Sequence, residues 1–245
     1  MSTETIKVTY DSDALALIRK LTDIRKEFTI EKSEDKKSIT ITARTPSRSV
    51  AYDFKAPIDM FNFEGDNITY FDFKEFYTLF SVNDDPILKQ GVNKFEIIKD
   101  RAKLVYYLGE KEATEDSDDE YEEYVAFDES HASFTMTAET MKKLKNMISL
   151  TKAEDLIFKV KDDKILIKLY YGENQPTYEE IFDLDGPAVE DFQFIVDTEI
   201  IKLSPENDYV VDLNSAGVVR LKYMNDKNIE LNLYISEIEE EIEEE

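Results

Sequence analysis

Apolar and polar positions alternate along "TIKVTY", residues 5–10, with the period of two that a half-buried strand requires. The period then changes. In "SDALALIRKLTDIRK", residues 12–26, the apolar positions Ala14, Leu17, Ile18, Leu21 and Ile24 recur at helical spacing, with Ser12 or Asp13 placed to cap the first turn. Three strand-like runs follow, "EFTIEK", "SITITAR" and "SVAYDFKA", separated by polar turns. The same order returns later in the chain. "ASFTMTA" predicts a strand, "ETMKKLKNMISLTK" (139–152) a helix, "LIFKVKDDKILIKLYY" a hairpin turning at Asp162-Asp163, and "TYEEIFDL" a further strand.

The offset between the two copies hardly varies. Ile6 and Val8 match Phe134 and Met136 at 128 residues, and Leu17 matches Leu144 at 127. Phe28 and Ile30 match Phe158 and Val160 at 130, Ile39 and Ile41 match Ile165 and Ile167 at 126, and Phe54 matches Phe182 at 128. Each copy continues with a weaker version of the same unit. "NITYFDF" and "KEFYTLFS" lead into "PILKQ", "KFEIIKD" and "AKLVYYL"; "DFQFIVD" and "TEIIKLS" lead into "DYVVDLN", "VVRLKYM" and "IELNLYIS". An internal repeat fixes architecture before any detail does. The expectation is an α+β fold of four β-α-β-β-β units, two per domain, the fourth helix cut short at Ser204-Pro205. The expected boundaries are a first domain over 1–110, an acidic linker over 111–132, a second domain over 133–235 and an acidic tail over 236–245.

At about 100° per residue each predicted helix has an inner and an outer face. Residues 139–152 turn Met141, Leu144, Met147 and Ile148 inward and Lys142, Lys145, Asn146 and Ser149 outward, with Lys152 beside them. The first helix turns Arg19 and Lys26 outward, with Lys20 at the flank and Asp23 as the one contrary charge. "KEFYTLFS" buries Phe76, Leu79 and Phe80 and shows Lys74, Thr78 and Ser81; "TEIIKLS" buries Ile200 and Leu203 and shows Lys202. Lysine solubilises many helix surfaces, so one such face carries little information. Four repeated helices with one pattern carry more, and together they suit an extended polyanion met through its phosphates without base readout.

Charge sharpens this picture. The 245-residue chain holds 55 acidic and 30 basic residues, a net charge of −25, which spread evenly would repel nucleic acid. It is not spread evenly. Residues 110–129 hold eleven acids and one lysine, and "SEIEEEIEEE", 236–245, holds seven acids and no base. Residues 13–26 and 138–152 instead carry net charges of +2 and +3. Fifteen Phe and fourteen Tyr supply real cores. The chain has no cysteine, which excludes disulfides and thiolate metal sites. No basic-then-apolar leader opens the sequence and no apolar run approaches about 18 residues, so a soluble cytoplasmic protein without a membrane partner is expected.

Catalytic chemistry finds little support. Six glycines form neither G-x-x-x-x-G-K nor G-x-G-x-x-G. His131, the sole histidine, falls at the end of the acidic linker, where a solvated side chain without partners is expected. "VNDDP", 82–86, suits a turn before Pro86, and "DSDDE", 116–120, lacks the glycine and terminal glutamate of a calcium loop. No nucleophile, base and oxyanion set assembles, so no enzyme activity, cofactor or metal is expected.

The order of elements over residues 5–235 resembles the sliding clamps that tether DNA polymerases, above all the two-domain, trimeric phage type, related in fold to proliferating cell nuclear antigen. The stretches that carry the resemblance are "FYTLFSVNDDPILKQ" followed by "KFEIIKDRAKLVYYL", and "FQFIVDTEIIKLSPENDYVVDL". The resemblance implies a homotrimeric ring of six domains whose helices line a channel for double-stranded DNA, with a DNA polymerase and a clamp loader as partners. It places Arg19, Lys20, Lys26, Lys74, Lys142, Lys145, Lys152 and Lys202 on the lining, with Asn146 on the same outward face. For a phage protein the compartment would be the host cytoplasm. The acidity of the linker and the polyglutamate tail depart from the family.

Two readings of Tyr124, Val125 and Phe127 stand side by side. "YVAF" packs back as an edge segment, or, as the family implies, the linker borders an apolar pocket for polymerase and loader peptides. Ile238 and Ile242, four apart, would suit a short helix, against a solvating tail. Two rival functions also stand. An acidic DNA mimic that inhibits a DNA-binding protein accounts for the net charge but not for the cationic helix faces. A structural or capsid-associated β protein would assemble without DNA.

Overall fold

The computed structural model describes residues 6–45, 49–82, 85–109, 127, 129–170 and 176–238. The chain falls into two compact units, one of Met1–Arg44, Tyr52–Glu120 and Lys227–Glu230, the other of Thr45–Ala51, Tyr121–Asp226 and Leu231–Glu245.

The first unit runs β1 (Ile6–Tyr10), α1 (Ser12–Leu21), β2 (Phe28–Lys32), β3 (Ser38–Arg44) and β4 (Val50–Pro57). A 3-10 turn over Ile58–Met60 and the two-residue β5 (Phe61–Asn62), neither expected from the sequence, lead to β6 (Asn67–Tyr70), α2 (Phe73–Ser81), β7 (Ile87–Gln90), β8 (Lys94–Lys99) and β9 (Ala102–Tyr107). The second unit runs β10 (Ala132–Met136), α3 (Ala138–Thr151), β11 (Asp155–Lys161), β12 (Lys164–Tyr170) and β13 (Pro176–Asp183), then β14 (Phe192–Asp197), α4 (Glu199–Leu203), β15 (Tyr209–Asn214), β16 (Val218–Tyr223) and β17 (Glu230–Ser236). The four β-α-β-β-β units expected from the hydrophobic pattern are all present.

Pairing interlocks these units. β1 pairs antiparallel with β7, Val8 opposite Leu88, in the order β5-β1-β7-β8-β9. β6 pairs with β2, Phe28 opposite Tyr70, in the order β4-β3-β2-β6. Each β-α-β-β-β unit thus lends its first strand to the sheet of the other. The second domain repeats the exchange: β10 joins β15, β16 and β17, and β14 joins β11, β12 and β13. The matched apolar positions are its internal markers. Val8, Leu17, Phe28, Ile30, Ile39, Ile41 and Phe54 are buried, as are Phe134, Met136, Leu144, Phe158, Val160, Ile165 and Ile167; Phe182 is half-buried.

Local chemistry sets the helix ends. Asp11, rather than Ser12 or Asp13, caps α1, its Oδ1 accepting the Asp13 and Ala14 N–H groups at 2.9 Å each. α1 stops at Leu21, five residues short of the expected end. The Thr22 hydroxyl bonds back to the Arg19 carbonyl at 2.7 Å and Ile24 N–H to the Leu21 carbonyl at 3.0 Å. Ile24 stays buried through this turn, so the apolar period runs on past the helix. α4 ends as expected before Pro205, with Ser204 donating to Ile200. Asp162 and Asp163 both take positive φ, 52° and 57°, in the two-residue turn that sets Lys161 opposite Lys164.

The two cores differ in chemistry. Around Tyr70 the rings of Phe73, Phe76, Tyr106, Phe28 and Phe95 lie with centroids 4.9 to 6.2 Å away. The second unit relies more on aliphatic burial, with Leu156, Ile165, Ile200, Val211, Leu221 and Leu233 all at 0% exposure. No helix among the described residues is long and apolar enough to cross a membrane.

Candidate nucleic-acid interface

α1 packs beside α2 in the first unit and α3 beside α4 in the second. Each helix spends its apolar stripe on its own core: Ala14, Leu15, Leu17, Ile18 and Leu21 from α1, Phe73, Phe76 and Phe80 from α2, Met141, Leu144 and Ile148 from α3, Ile200 and Ile201 from α4. Leu79, Met147 and Leu203, expected inside, are half-buried, because they lie at the margins of these stripes.

The remaining faces carry the expected cations. Lys20, Lys74, Lys142 and Lys202 are exposed on the four helices, Asn146 is exposed on α3, and Lys145 is half-buried. Two assignments change. Lys26 is exposed but lies in the bend before β2, beyond the end of α1; Lys152 is the left-handed C-cap of α3, with φ 55°. Arg19 is half-buried, with Nη1 3.8 Å from Asp23 Oδ2, so the contrary charge of the sequence is its ion-pair partner.

Acids on these helices are segregated along the axis. Asp13, Glu75, Glu139 and Glu199 each sit in a first turn, where the positive end of the helix dipole favours a carboxylate. Lys227 holds Asp13 at 2.6 Å, and Ser49 donates to Glu199. Arg19, Lys20 and Lys202 occupy last turns and Lys152 a C-terminus, where the dipole favours cations. Lys143 is turned away from this set. Its Nζ lies 3.0 Å from Glu180 Oε1 on β13 and 5.3 Å from the Tyr178 ring centroid. The Tyr178 hydroxyl and the Glu180 carboxylate hold its pKa above the usual lysine value.

Tyr124 and Val125 lie outside the described residues, as do most of the expected linker and "DSDDE". Phe127 is half-buried, with the Arg220 guanidinium 4.3 Å from its ring centroid. Arg220 in turn binds Asp212 through Nε at 3.0 Å and Nη2 at 2.6 Å, and the Ser133 hydroxyl donates to Asp212 at 2.6 Å. His131, expected solvated and without partners, is instead half-buried. Its Nδ1 lies 2.7 Å from Ser215 Oγ and accepts the Ser215 N–H at 3.0 Å. Sequence reasoning missed this anchorage, because Asp212 and Arg220 meet only through the β15–β16 register. Among the described residues no cluster of His, Cys, Asp and Glu could hold a metal ion.

No protein-family model matches the sequence, and no curated protein matches it. Solved structures do. PCNA of A. fulgidus, bound to the C-terminal region of FEN-1, superposes with a TM-score of 0.71 at 13% identity, covering 96% of this chain and 99% of that one. PCNA of Entamoeba histolytica superposes at 0.72 and 12% identity with the same coverage. The fold is that of a sliding clamp. The H. pylori beta clamp, in complex with 5-chloroisatin, adds a TM-score of 0.65 at 11% identity over 97% of this chain and 67% of that one. At these identities the likeness concerns the clamp fold itself, so what the helix faces do rests on their own chemistry.

Proposed function

We propose that the protein is a DNA sliding clamp: a homotrimeric ring that encircles double-stranded DNA without reading sequence and tethers a DNA polymerase. The carrying observation is the segregation of charge. Cations stand on the solvent faces of all four repeated helices, the helix acids sit in first turns, and seventeen of the net negative charges fall within residues 110–129 and 236–245. Facing a common channel, these helices would meet phosphates through scattered point charges, which hold a duplex without fixing it. An acidic exterior would turn DNA away from every other approach. The lining comprises Arg19, Lys20, Lys26, Lys74, Lys142, Lys145, Asn146, Lys152 and Lys202.

Ring closure needs strand edges. β9 and β13 each end a sheet and are the longest edge strands of their units, with Tyr107 and Ile181 exposed at 67% and 64%. Joining such edges between copies removes open strand ends and buries these side chains. Domains over 1–110 and 133–235, an acidic linker over 111–132 bearing Tyr124, Val125 and Phe127, and a tail over 236–245 complete the reading, with polymerase and loader peptides docking at the linker. The role is that of a non-enzymatic, cytoplasmic scaffold of the phage type. The DNA-mimic alternative accounts for the net charge and leaves the helix faces unexplained.

The test is topological. Protein loaded on circular duplex by a clamp loader should stay bound through moderate salt and be lost once the circle is cut, by sliding off an end. Retention that survives cutting, or tight binding to a short linear duplex of one sequence, would refute the clamp reading.

A further inference from the structure

The outer edge of β14 is already hydrogen-bonded at one point. Ile238 N–H donates to the Ile195 carbonyl at 2.9 Å, one residue after Glu237 N–H has donated to the Gly217 carbonyl. Gly217 has φ +82°, and a Cβ there would stand 2.6 Å from the Glu237 Cβ. The backbone of the β15–β16 turn therefore leaves room only for this close passage, which delivers the chain from β17 to β14.

β14 ends the order β13-β12-β11-β14. Within a strand the N–H and C=O of one residue point to the same side, and the side alternates. Since the Ile195 carbonyl faces away from β11, the backbone groups of Gln193 face away too. The side chains on this solvent face form cross-strand rows. One row is Glu179, Lys168, Ile157 and Ile195; the next is Ile181, Leu166, Lys159 and Gln193. Ile157 is only 8% exposed although it lies opposite the core side of β11, where Leu156 and Phe158 are at 0%.

We infer that the β14 edge is a strand-addition site whose occupant is this chain's own acidic tail, continuing from Ile238 through Glu239–Glu245. Glu239–Glu245 follows directly on the residue that makes the existing bond. Antiparallel addition in the register Ile238 opposite Ile195 sets Glu240 opposite Gln193, in the row of Lys159. The opposite direction would set Glu240 beside Asp197, carboxylate against carboxylate. Ile238 extends the apolar row of Ile195 and Ile157. Such addition shields an open edge from pairing with other chains and gives Glu239, Glu240 and Glu241, opposite Phe194 to Phe192, a fixed place on the second unit. It does not depend on the clamp reading.

Amide hydrogen exchange tests it. In the full chain the Gln193 and Ile195 amides should exchange about tenfold or more slowly than in a chain ended after Glu237. The Phe194 and Val196 amides, bonded toward β11, should be equal in both and so report that the sheet is intact. Glu240→Pro in the full chain, which removes a donor facing β14 and a single charge, should release Gln193. Equal Gln193 and Ile195 rates in the full and shortened chains overturn the inference. So does protection of Gln193 that survives Glu240→Pro, and so does protection that rises with protein concentration, since a second copy would then be the occupant.

Discussion

The guanidinium of Arg220 stands 4.3 Å from the Phe127 ring centroid while gripping Asp212 with two nitrogens. Asp212 is 6% exposed and also accepts from Ser133 and Ser130. One side chain thus neutralises a buried carboxylate on β15 and fastens the residue that leads toward β10. Arg220→Ala would strip the charge partner from Asp212 and the cation from Phe127. A loss of about 2 kcal/mol is expected, below the roughly 3–5 kcal/mol for breaking a fully buried pair, because Arg220 retains some exposure. Urea unfolding measures it. A midpoint equal to that of the unaltered protein would show that the pair contributes nothing.

The Tyr70 hydroxyl is fully buried among aromatic rings and has no hydrogen-bond partner among the described residues. Burial, with the neighbouring Tyr106 adding to it, pushes its pKa well above the usual tyrosine value. By contrast, the Tyr106 hydroxyl donates to the Asp72 carbonyl at 3.1 Å. Tyr70→Phe deletes an unsatisfied polar atom while keeping the ring, and should raise stability by about 1 kcal/mol. Calorimetry would register a higher midpoint. A drop of similar size would mean that the hydroxyl has found a partner.

Much of this fold was legible because apolar spacing is dictated by burial. Val8 and Met136, or Ile39 and Ile165, recur at nearly fixed offsets because they fill equivalent core sites. The exchange of first strands was not legible. Val8 meets Leu88 and Phe28 meets Tyr70 across long stretches of chain, and period-two alternation is the same whichever strand is the neighbour. That Lys26 falls beyond the helix expected to carry it has a related reason. Ile24 is buried in a turn as it would be in a helix, and the pattern of burial does not distinguish the two. The cationic faces could be read because outward positions follow from inward ones. The fastening of His131 and Phe127 could not, since Ser215 and Arg220 are reached only through sheet register.

Glu96 makes an acid-sensitive contact. Its Oε1 lies 2.6 Å from Lys103 Nζ and 3.3 Å from Lys94 Nζ, and the hydrogen bond from Lys103 is the main cause of a pKa held below the ordinary carboxylate value. A carboxylate with a depressed folded pKa stabilises the native state above its unfolded pKa and loses that contribution as pH falls through the folded value. The stability gap between the unaltered protein and Glu96→Gln should therefore be constant near neutrality and narrow in acid. Glu96 is half-buried, but Lys103 stands exposed to solvent and Lys94 half-exposed, so the gap itself should be small. A gap that widens as pH falls would contradict the assignment.

Lys142 and Lys143 are sequence neighbours with opposite surroundings, and reversing each should separate DNA contact from structure. Lys143→Glu would press a carboxylate against Glu180 on β13, so its cost should appear in unfolding experiments. Lys142→Glu with Lys145→Glu alters outward positions of α3, where surface changes usually shift stability by about 0.5 kcal/mol or less. That double variant should keep its fold and assembly while retention on circular DNA and polymerase processivity fall. Each phosphate contact removed should flatten the logarithmic salt dependence of duplex binding by about 0.9. Adding Arg19→Glu and Lys26→Glu extends the reversal to the first unit, and Arg19→Glu also sets a carboxylate near Asp23, 3.8 Å from the present guanidinium. If the fourfold variant remains folded and holds circular DNA as the unaltered protein does, through the same salt range, these helix faces do not line a channel for DNA.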